Sequence, residues 1–540
     1  MAQAQSVALP KKWPIIVLPE NRGSSTSTDS RLVNGYIEKE ISGDYIVFKR
    51  PGAAAYSQPS GGAATGQGVY TWNGDVYAVA GGHLYKGTTS VGTVDTTGGV
   101  YRFSSCMGQV PKLQLGNGVY AYNYDAVNGL VQITRATITS SAGDLSPTIP
   151  QIKNIASTAG WAAGYSVSDL TNGTQIPLGA YIVSVDSATQ ITINTNALVT
   201  ASAVAISVQS PGVPAAFVKG WSYLDGTTYL MDAKGVIWGD DLNDPTTWDP
   251  LNFLTVQIEP GPGVALAKQL VNVIALKDGE TEVFYDAGNA AGSPLGRVVG
   301  AKVNWGCLSA DSVRQVNGDL YWLATDRNGS VQVMQMRNLT ASKISSPAVD
   351  RLLGEADFTT IYSLAVNYGG HRWYVLTLKG SNLTLAFDTT TELWDQWADG
   401  NGNYWPIVAS SDTPVTAQTL LQHESDGHLY TLSSLNYSEF GAPILVDIYT
   451  MNYDGGTVRD KVLPELYFDA DQVAGSVLQC RFSDDDYQTW SDYRKVDLGL
   501  KKPALPDNGS FKRRAYNFRH QSNTPFRIRA AYMQIDVGTM

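Results

Sequence analysis

One short phrase recurs along this 540-residue chain and narrows what it can fold into: two alternating apolar or aromatic runs joined by Asn-Gly. The clearest copy is Tyr70-Thr71-Trp72-Asn73-Gly74-Asp75-Val76-Tyr77-Ala78-Val79, and Val316-Asn317-Gly318-Asp319-Leu320-Tyr321-Trp322 repeats it. Both residues of such a tight hairpin turn must accept positive φ, which Asn and Gly do at least cost. Weaker copies are Gly81-Gly82-His83-Leu84-Tyr85, Asn117-Gly118-Val119-Tyr120 and Asp426-Gly427-His428-Leu429-Tyr430. A second phrase leads a strand into an Asp/Thr turn that ends on tryptophan. It is Phe387-Asp388-Thr389-Thr390-Thr391-Glu392-Leu393-Trp394-Asp395-Gln396-Trp397, with Asp241-Leu242-Asn243-Asp244-Pro245-Thr246-Thr247-Trp248 as a shorter relative. A large β-sandwich would also show closely spaced hairpins. Recurrence of one phrase over about 360 residues favours propeller blades, small antiparallel sheets that bury their faces only against neighbours.

Two segments interrupt the pattern. Residues 140–216 carry only four charges, Asp144, Lys153, Asp169 and Asp186, and contain one strong strand-turn-strand over 181–193. They read as an inserted small β domain. After Gly441 longer strands appear over 444–450, 463–468, 477–482 and 526–535, a separate β domain. The expected class is therefore all-β: a β-propeller with an inserted small β domain and a C-terminal β domain. An N-terminal docking segment with an opening strand is expected over 1–50, the first blades over 51–139, the insert over 140–216, the remaining blades over 217–440 and the last domain over 441–540. Without the insert, about 308 residues remain for blades, enough for six or seven at roughly 40–50 residues each, with six preferred. No helix longer than about ten residues is expected, and 264–270 is the best stretch for one.

Composition agrees. Charged residues make up 16%, against about 25% in an average chain, and 29 Tyr outnumber 13 Phe beside 53 Gly. The net charge of −11 and pI near 5.0 run against a protein that coats DNA through its whole surface. Cys106, Cys307 and Cys480 are odd in number and far apart, which supports buried thiols over a disulfide framework or a zinc site. Residues 1–10 lack the apolar core of a signal peptide, and no run approaches the roughly 18–20 apolar residues of a membrane span, so synthesis in a cytoplasm is expected.

Chemistry-bearing motifs are few. Ser483-Asp484-Asp485-Asp486-Tyr487-Gln488-Thr489-Trp490 resembles the Asp-box turn of sialidase-type propellers, with Ser483, Asp485, Thr489 and Trp490 at its defining positions and Tyr487 where glycine belongs. That box is structural, and no arginine cluster or Tyr/Glu pair points to glycosidase chemistry. His423-Glu424-Ser425-Asp426-Gly427-His428 groups metal-type ligands but lacks helical spacing, so it reads as a hairpin turn. The Asp240/Asp241/Asp244 cluster follows no EF-hand order. No P-loop or Gly-x-Ser-x-Gly elbow occurs, so no cofactor, metal or catalytic residue is expected. Between 501 and 529, Lys501, Lys502, Lys512, Arg513, Arg514, Arg519, Arg527 and Arg529 face a single acid, Asp507, and interleave with Phe511, Tyr516, Phe518 and Phe526. Lys512, Arg513, Arg514, Arg519, Arg527 and Arg529 make a candidate basic interaction surface, for an acidic neighbouring subunit before nucleic acid.

Together these phrases resemble a family. Asn21-Arg22-Gly23, the stretch 29–38 and Lys49-Arg50-Pro51-Gly52 are similar to the start of the tail nozzle proteins of short-tailed bacteriophages, also called packaged-DNA stabilisation proteins. Leu84-Tyr85-Lys86-Gly87 with Val91-Gly92, the strand pair over 273–288, and Gly306-Cys307 followed by 309–312 continue the likeness. Residues 155–196 resemble small β modules of phage structural proteins. The resemblance implies a non-enzymatic homohexameric tube at the distal end of a short tail. It would hang below a portal-adaptor ring, carry tail fibres or a needle or plug, retain the packaged DNA and conduct it at ejection. Six copies of the −11 chain would repel phosphates and keep a conduit non-adhesive. The alternative is a receptor-binding or polysaccharide-degrading propeller at the host surface, with Trp373, Trp394 and Trp405 stacking on sugars.

Overall fold

The computed structural model describes residues 11–13, 15, 29–40 and 45–537, except 109, 136, 141, 171–174, 178, 211, 215, 249–251, 290–291 and 414–417. The quoted segments 1–10 and 21–23 lie outside the described residues.

The two clearest Asn-Gly phrases are hairpins whose turn residues sit at positive φ, Asn73 at 51° and Gly74 at 85°, Asn317 at 52° and Gly318 at 87°. Such hairpins build four-stranded antiparallel sheets spanning 66–93, 102–132, 222–255, 263–297, 314–343 and 361–396. A further sheet joins Ile407–Thr413, Gln418–His423 and Leu429–Ser433 to Gly52–Ser57, from the other end of the chain. These are seven blades among the described residues, where length alone preferred six. Blades of 28–36 residues are shorter than the length arithmetic assumed, and the last one borrows its outer strand.

The blades close into a ring because their inner strands are buried on both faces, while outer strands such as Thr89–Thr93 and Thr340–Lys343 stay largely exposed. In Asn272–Lys277, Val273 and Ala275 enter the core shared with the third blade, while Ile274 and Leu276 enter the core shared with the fifth. This is the period-two alternation of a strand, with both faces apolar. Every adjacent pair of blades shares such a core. That includes the first and seventh, where Val69 and Ala78 meet Val408, Leu420 and Leu429.

The insert forms two three-stranded sheets around its own core of Ile152, Val167, Ile182, Ile191, Ile206 and Val208. The last hundred residues form a sandwich. One sheet carries Val446–Tyr449, Ala515–His520, Val477–Ser483 and Arg494–Asp497, and it continues through Arg31–Val33 into the sixth blade. The other pairs Arg527–Met533 with Glu465–Ala470, and also with the N-terminal strands Tyr45–Lys49 and Lys11–Trp13. Trp13, Leu32, Ile37 and Val47 thus enter the same core as Ile448, Phe518 and Ile528.

Strands of a blade alternate in direction, so odd strands end on one face of the ring and even strands on the other. The insert follows the fourth strand of the second blade and the sandwich follows the third strand of the seventh, so they leave from opposite faces. The stretch 264–270, the best helix prospect, is instead the strand Gly263–Gln269. Pairing along Asn272–Lys277 and burial between two blades override its Ala-Leu-Ala helix propensity. The one α-helix among the described residues is Pro347–Gly354, begun by Ser346, whose hydroxyl accepts from Val349 N, and by Pro at its first turn.

Candidate functional site

The sequence directed attention to the sandwich, and its chemistry follows from antiparallel pairing. Asp447 lies directly across from Arg519 in the register of Val446–Tyr449 with Ala515–His520. The Arg519 guanidinium therefore forks onto that carboxylate at 2.9 and 2.8 Å. These hydrogen bonds hold the Arg519 charge more firmly than usual. Arg527 donates to Asp471 at 2.7 Å, and Arg529 lies 3.7–3.9 Å from Glu40, Asp469 and Asp471.

Arg513 pairs with Asp486. Arg514 is 1% exposed, forks onto Asp484 at 2.7 Å through both Nε and Nη2, and stacks 3.8 Å from the Phe482 ring. Burial opposes the Arg514 charge, but the Asp484 hydrogen bonds outweigh it and raise the pKa. The basic surface read from 501–529 is thus a correction. Five of its six residues are ion-paired within the chain, and only Lys512 remains as an exposed cation without a recorded pair among the described residues. The partnering acids lie up to about 70 residues earlier in sequence or, for Glu40, on the N-terminal segment. A local window therefore shows one side of each pair.

The Asp-box residues converge on the turn after Val477–Ser483. The Asp485 carboxylate accepts from Thr489 N at 2.9 and 3.1 Å, from Thr489 Oγ1 at 2.5 Å and from Ser483 Oγ at 2.8 Å. The Thr489 hydrogen bonds, then that from Ser483, hold the acid down at about 2. Trp490 packs edge-on to Tyr449 and under Arg481. Asp486 and Tyr487 both adopt left-handed backbone, at 62° and 67°. Tyr487 thus stands at positive φ where glycine would be free of strain, and its hydroxyl anchors the turn by donating to Thr450 O at 2.8 Å.

The other motifs are also local structure. The 423–428 run is the turn of the seventh blade: Glu424 accepts from Tyr362 at 2.7 Å and Tyr404 at 2.8 Å, and His423 lies 3.1 Å from Asp426. No group of three or more metal-type ligands comes together among the described residues. Asp240 is buried, accepts from Thr228 N at 2.6 Å, and is pushed up to about 8 by burial. Trp373, Trp394 and Trp405 are 1%, 4% and 0% exposed, packed in the cores around the sixth blade, so sugar stacking on them is excluded. Cys106, Cys307 and Cys480 are buried free thiols, raised in pKa chiefly by that burial.

Sequence reasoning missed one buried pair altogether. Arg50, in the Arg-Pro-Gly turn, is 1% exposed and grips Glu439 through two hydrogen bonds. Its Nε donates to Asn34 Oδ1 at 2.9 Å, and its Nη2 donates to Ala398 O at 3.1 Å, with Trp397 and Trp405 within 5.3 Å. This one side chain ties the N-terminal segment, the sixth blade and the exit from the ring. The quoted Arg-Pro-Gly was the only signal in sequence.

Residues 208–409 match the model of a family described as bacteriophage P22 Gp10, beta-propeller. The matched segment is the third to sixth blades and the opening of the seventh. The match supports a bacteriophage tail protein. It supports a structural role and implies a place in the virion. No curated protein matches the chain. Solved structures similar to it include the RRP9 WD40 repeats, at 8% identity and TM-score 0.33 over 71% of this chain and 99% of that one. Another is YCF48 bound to D1 peptide, at 13% identity and TM-score 0.33 over 71% and 99%. The extracellular domain of a one-component system from B. thetaiotaomicron gives 11% identity and TM-score 0.37 over 91% and 61%.

Proposed function

We propose that this chain is the subunit of the distal tail tube, or nozzle, of a short-tailed phage. In that role it closes the portal-adaptor channel to retain packaged DNA and conducts the DNA at ejection. The observation that carries this reading is the match of four blades and more to the P22 Gp10 propeller family. The build of the chain supports it. A ring with one domain leaving each face offers separate surfaces to a portal-adaptor ring on one side and to tail fibres, a needle or a plug on the other. Six copies around a common lumen would present the acidic balance of the chain to the DNA, which lowers adhesion of the moving phosphates.

Electron microscopy and native mass measurement of the chain with its portal and adaptor test the reading. A closed hexamer seated on the adaptor, with acidic or neutral side chains facing the lumen, is the expected result. A chain that stays monomeric and never joins the complex, or a lumen dense in Lys and Arg, would overturn it.

A further inference from the structure

The axis of the propeller holds a cluster of cations that neither the tail-tube reading nor the family match explains. Its cavity, about 320 Å³, is lined by residues of the inner strands of six blades and by Lys219–Trp221, which lead into the third blade. Four cations border it, Arg102, Lys219, Lys268 and Arg314, against one acid of the lining, Asp412. This reverses the acidic balance of the whole chain.

Among the described residues, the only acid within ion-pair distance of any of the four is Asp311, which is not part of the lining. Lys219 holds it at 2.9 and 3.0 Å, and Arg102 lies 3.7 Å away. Arg102 is also anchored to the carbonyls of Asp311 and Ala310 at 2.9 and 3.3 Å. Asp412 is held by Asn367 and Thr419 at 2.8 and 2.7 Å.

Arg314 and Lys268 make no ion pair among the described residues. Lys268 donates to Tyr223 O at 2.5 Å. Arg314 donates through Nε to Ser363 O at 2.9 Å, and its two Nη groups have no recorded partner among the described residues. Arg102 reaches the hydroxyl of the same Ser363 at 3.5 Å, so two guanidinium groups converge on one residue. Burial, then the neighbouring Arg102 charge, lowers the Arg314 pKa to about 9. Like charges gathered around one cavity are costly unless an anion joins them.

We infer that the axial channel of the propeller binds a small dianion of the phosphate class, seated between Arg314, Arg102 and Lys268. Its two charges match the excess of four cations over Asp311 and Asp412. The planar forks of the two arginines suit tetrahedral oxygens. At about 320 Å³ the cavity has room for such an ion together with several waters. The inference stands whether or not the chain forms a tube.

Calorimetric titration of the full chain with inorganic phosphate, against chloride at equal ionic strength, tests it. Saturable binding of one phosphate per chain is expected. Arg314→Gln should weaken it roughly tenfold or more through loss of charge-assisted hydrogen bonds, and Lys268→Gln should weaken it as well. Arg529→Gln, on the sandwich, should leave it unchanged. Absence of saturable binding by the wild-type chain overturns the inference without any variant, and so does a folded Arg314→Gln that binds as tightly as wild type.

Discussion

Arg50 and Glu439 are both almost fully buried, 389 residues apart, and each satisfies the other inside a cage of tryptophans. Removing one partner leaves an uncompensated charge out of water. Arg50→Ala should therefore cost about 3–5 kcal/mol in urea unfolding, and joint replacement of the pair by Met and Leu should cost much less. His520 gives the sandwich a pH dependence. It is wholly buried, stacked on Phe526 at 4.5 Å and bonded to Ser476 at 2.9 Å, and burial, then the Lys49 charge, lowers it to about 3. An unfolded His titrates near 6.5, so between that pH and about 3 the unfolded chain binds a proton the native chain refuses. Stability should fall as pH drops through this window, by up to about 1.4 kcal/mol per unit, and be untouched by this group above it. Thermal unfolding at pH 7 and pH 5 should show the loss, and His520→Gln should flatten it.

At the scale of elements, the ring depends on one unpromising strand. Gly52–Ser57 is three alanines between Gly and Tyr-Ser, weak in β propensity, yet it closes the seventh blade against Leu429–Ser433. Gly52 makes the close approach possible. A Cβ there would lie 2.4 Å from Ser438 O and 2.8 Å from Asn436 O, both backbone atoms that cannot swing away. Gly52→Val should destabilise by about 1–3 kcal/mol or more. Hydrogen exchange should then rise first in 429–433, because that strand loses its outer partner, and equal protection there would show that the closing strand is dispensable. The Asn-Gly hairpins, by contrast, were legible, since such turns act within a few residues. The helix Pro347–Gly354 went unread although Ser346-Pro347 supplies its cap and first-turn proline, and 264–270 misled because propensity is local and sheet burial is not.

At the scale of the whole molecule, the described residues form nine cores: seven between blades, one in the insert and one in the sandwich. The insert's core is its own, and its two stalks meet where Val213 N donates to Ile133 O at 2.8 Å and Arg135 N donates to Val213 O at 2.7 Å. Replacing 137–210 by a short Gly-Ser loop should therefore leave the ring folded, with a melting temperature within a few degrees of the full chain. Collapse of the ring would show that the insert braces it.

The sequence by itself determined the all-β class, the hairpin repeat, the low-charge insert and the change of character near Gly441. Each of these is written in neighbouring residues. It took the tertiary structure to show that seven blades close the ring, that the five arginines of the basic run pair with acids of the sandwich and the N-terminal segment, and that Arg102 and Arg314 meet on the axis. Those outcomes rest on contacts between residues tens to hundreds of positions apart. Chain folding brings such residues together through burial and charge pairing, and no local period or motif records the meeting.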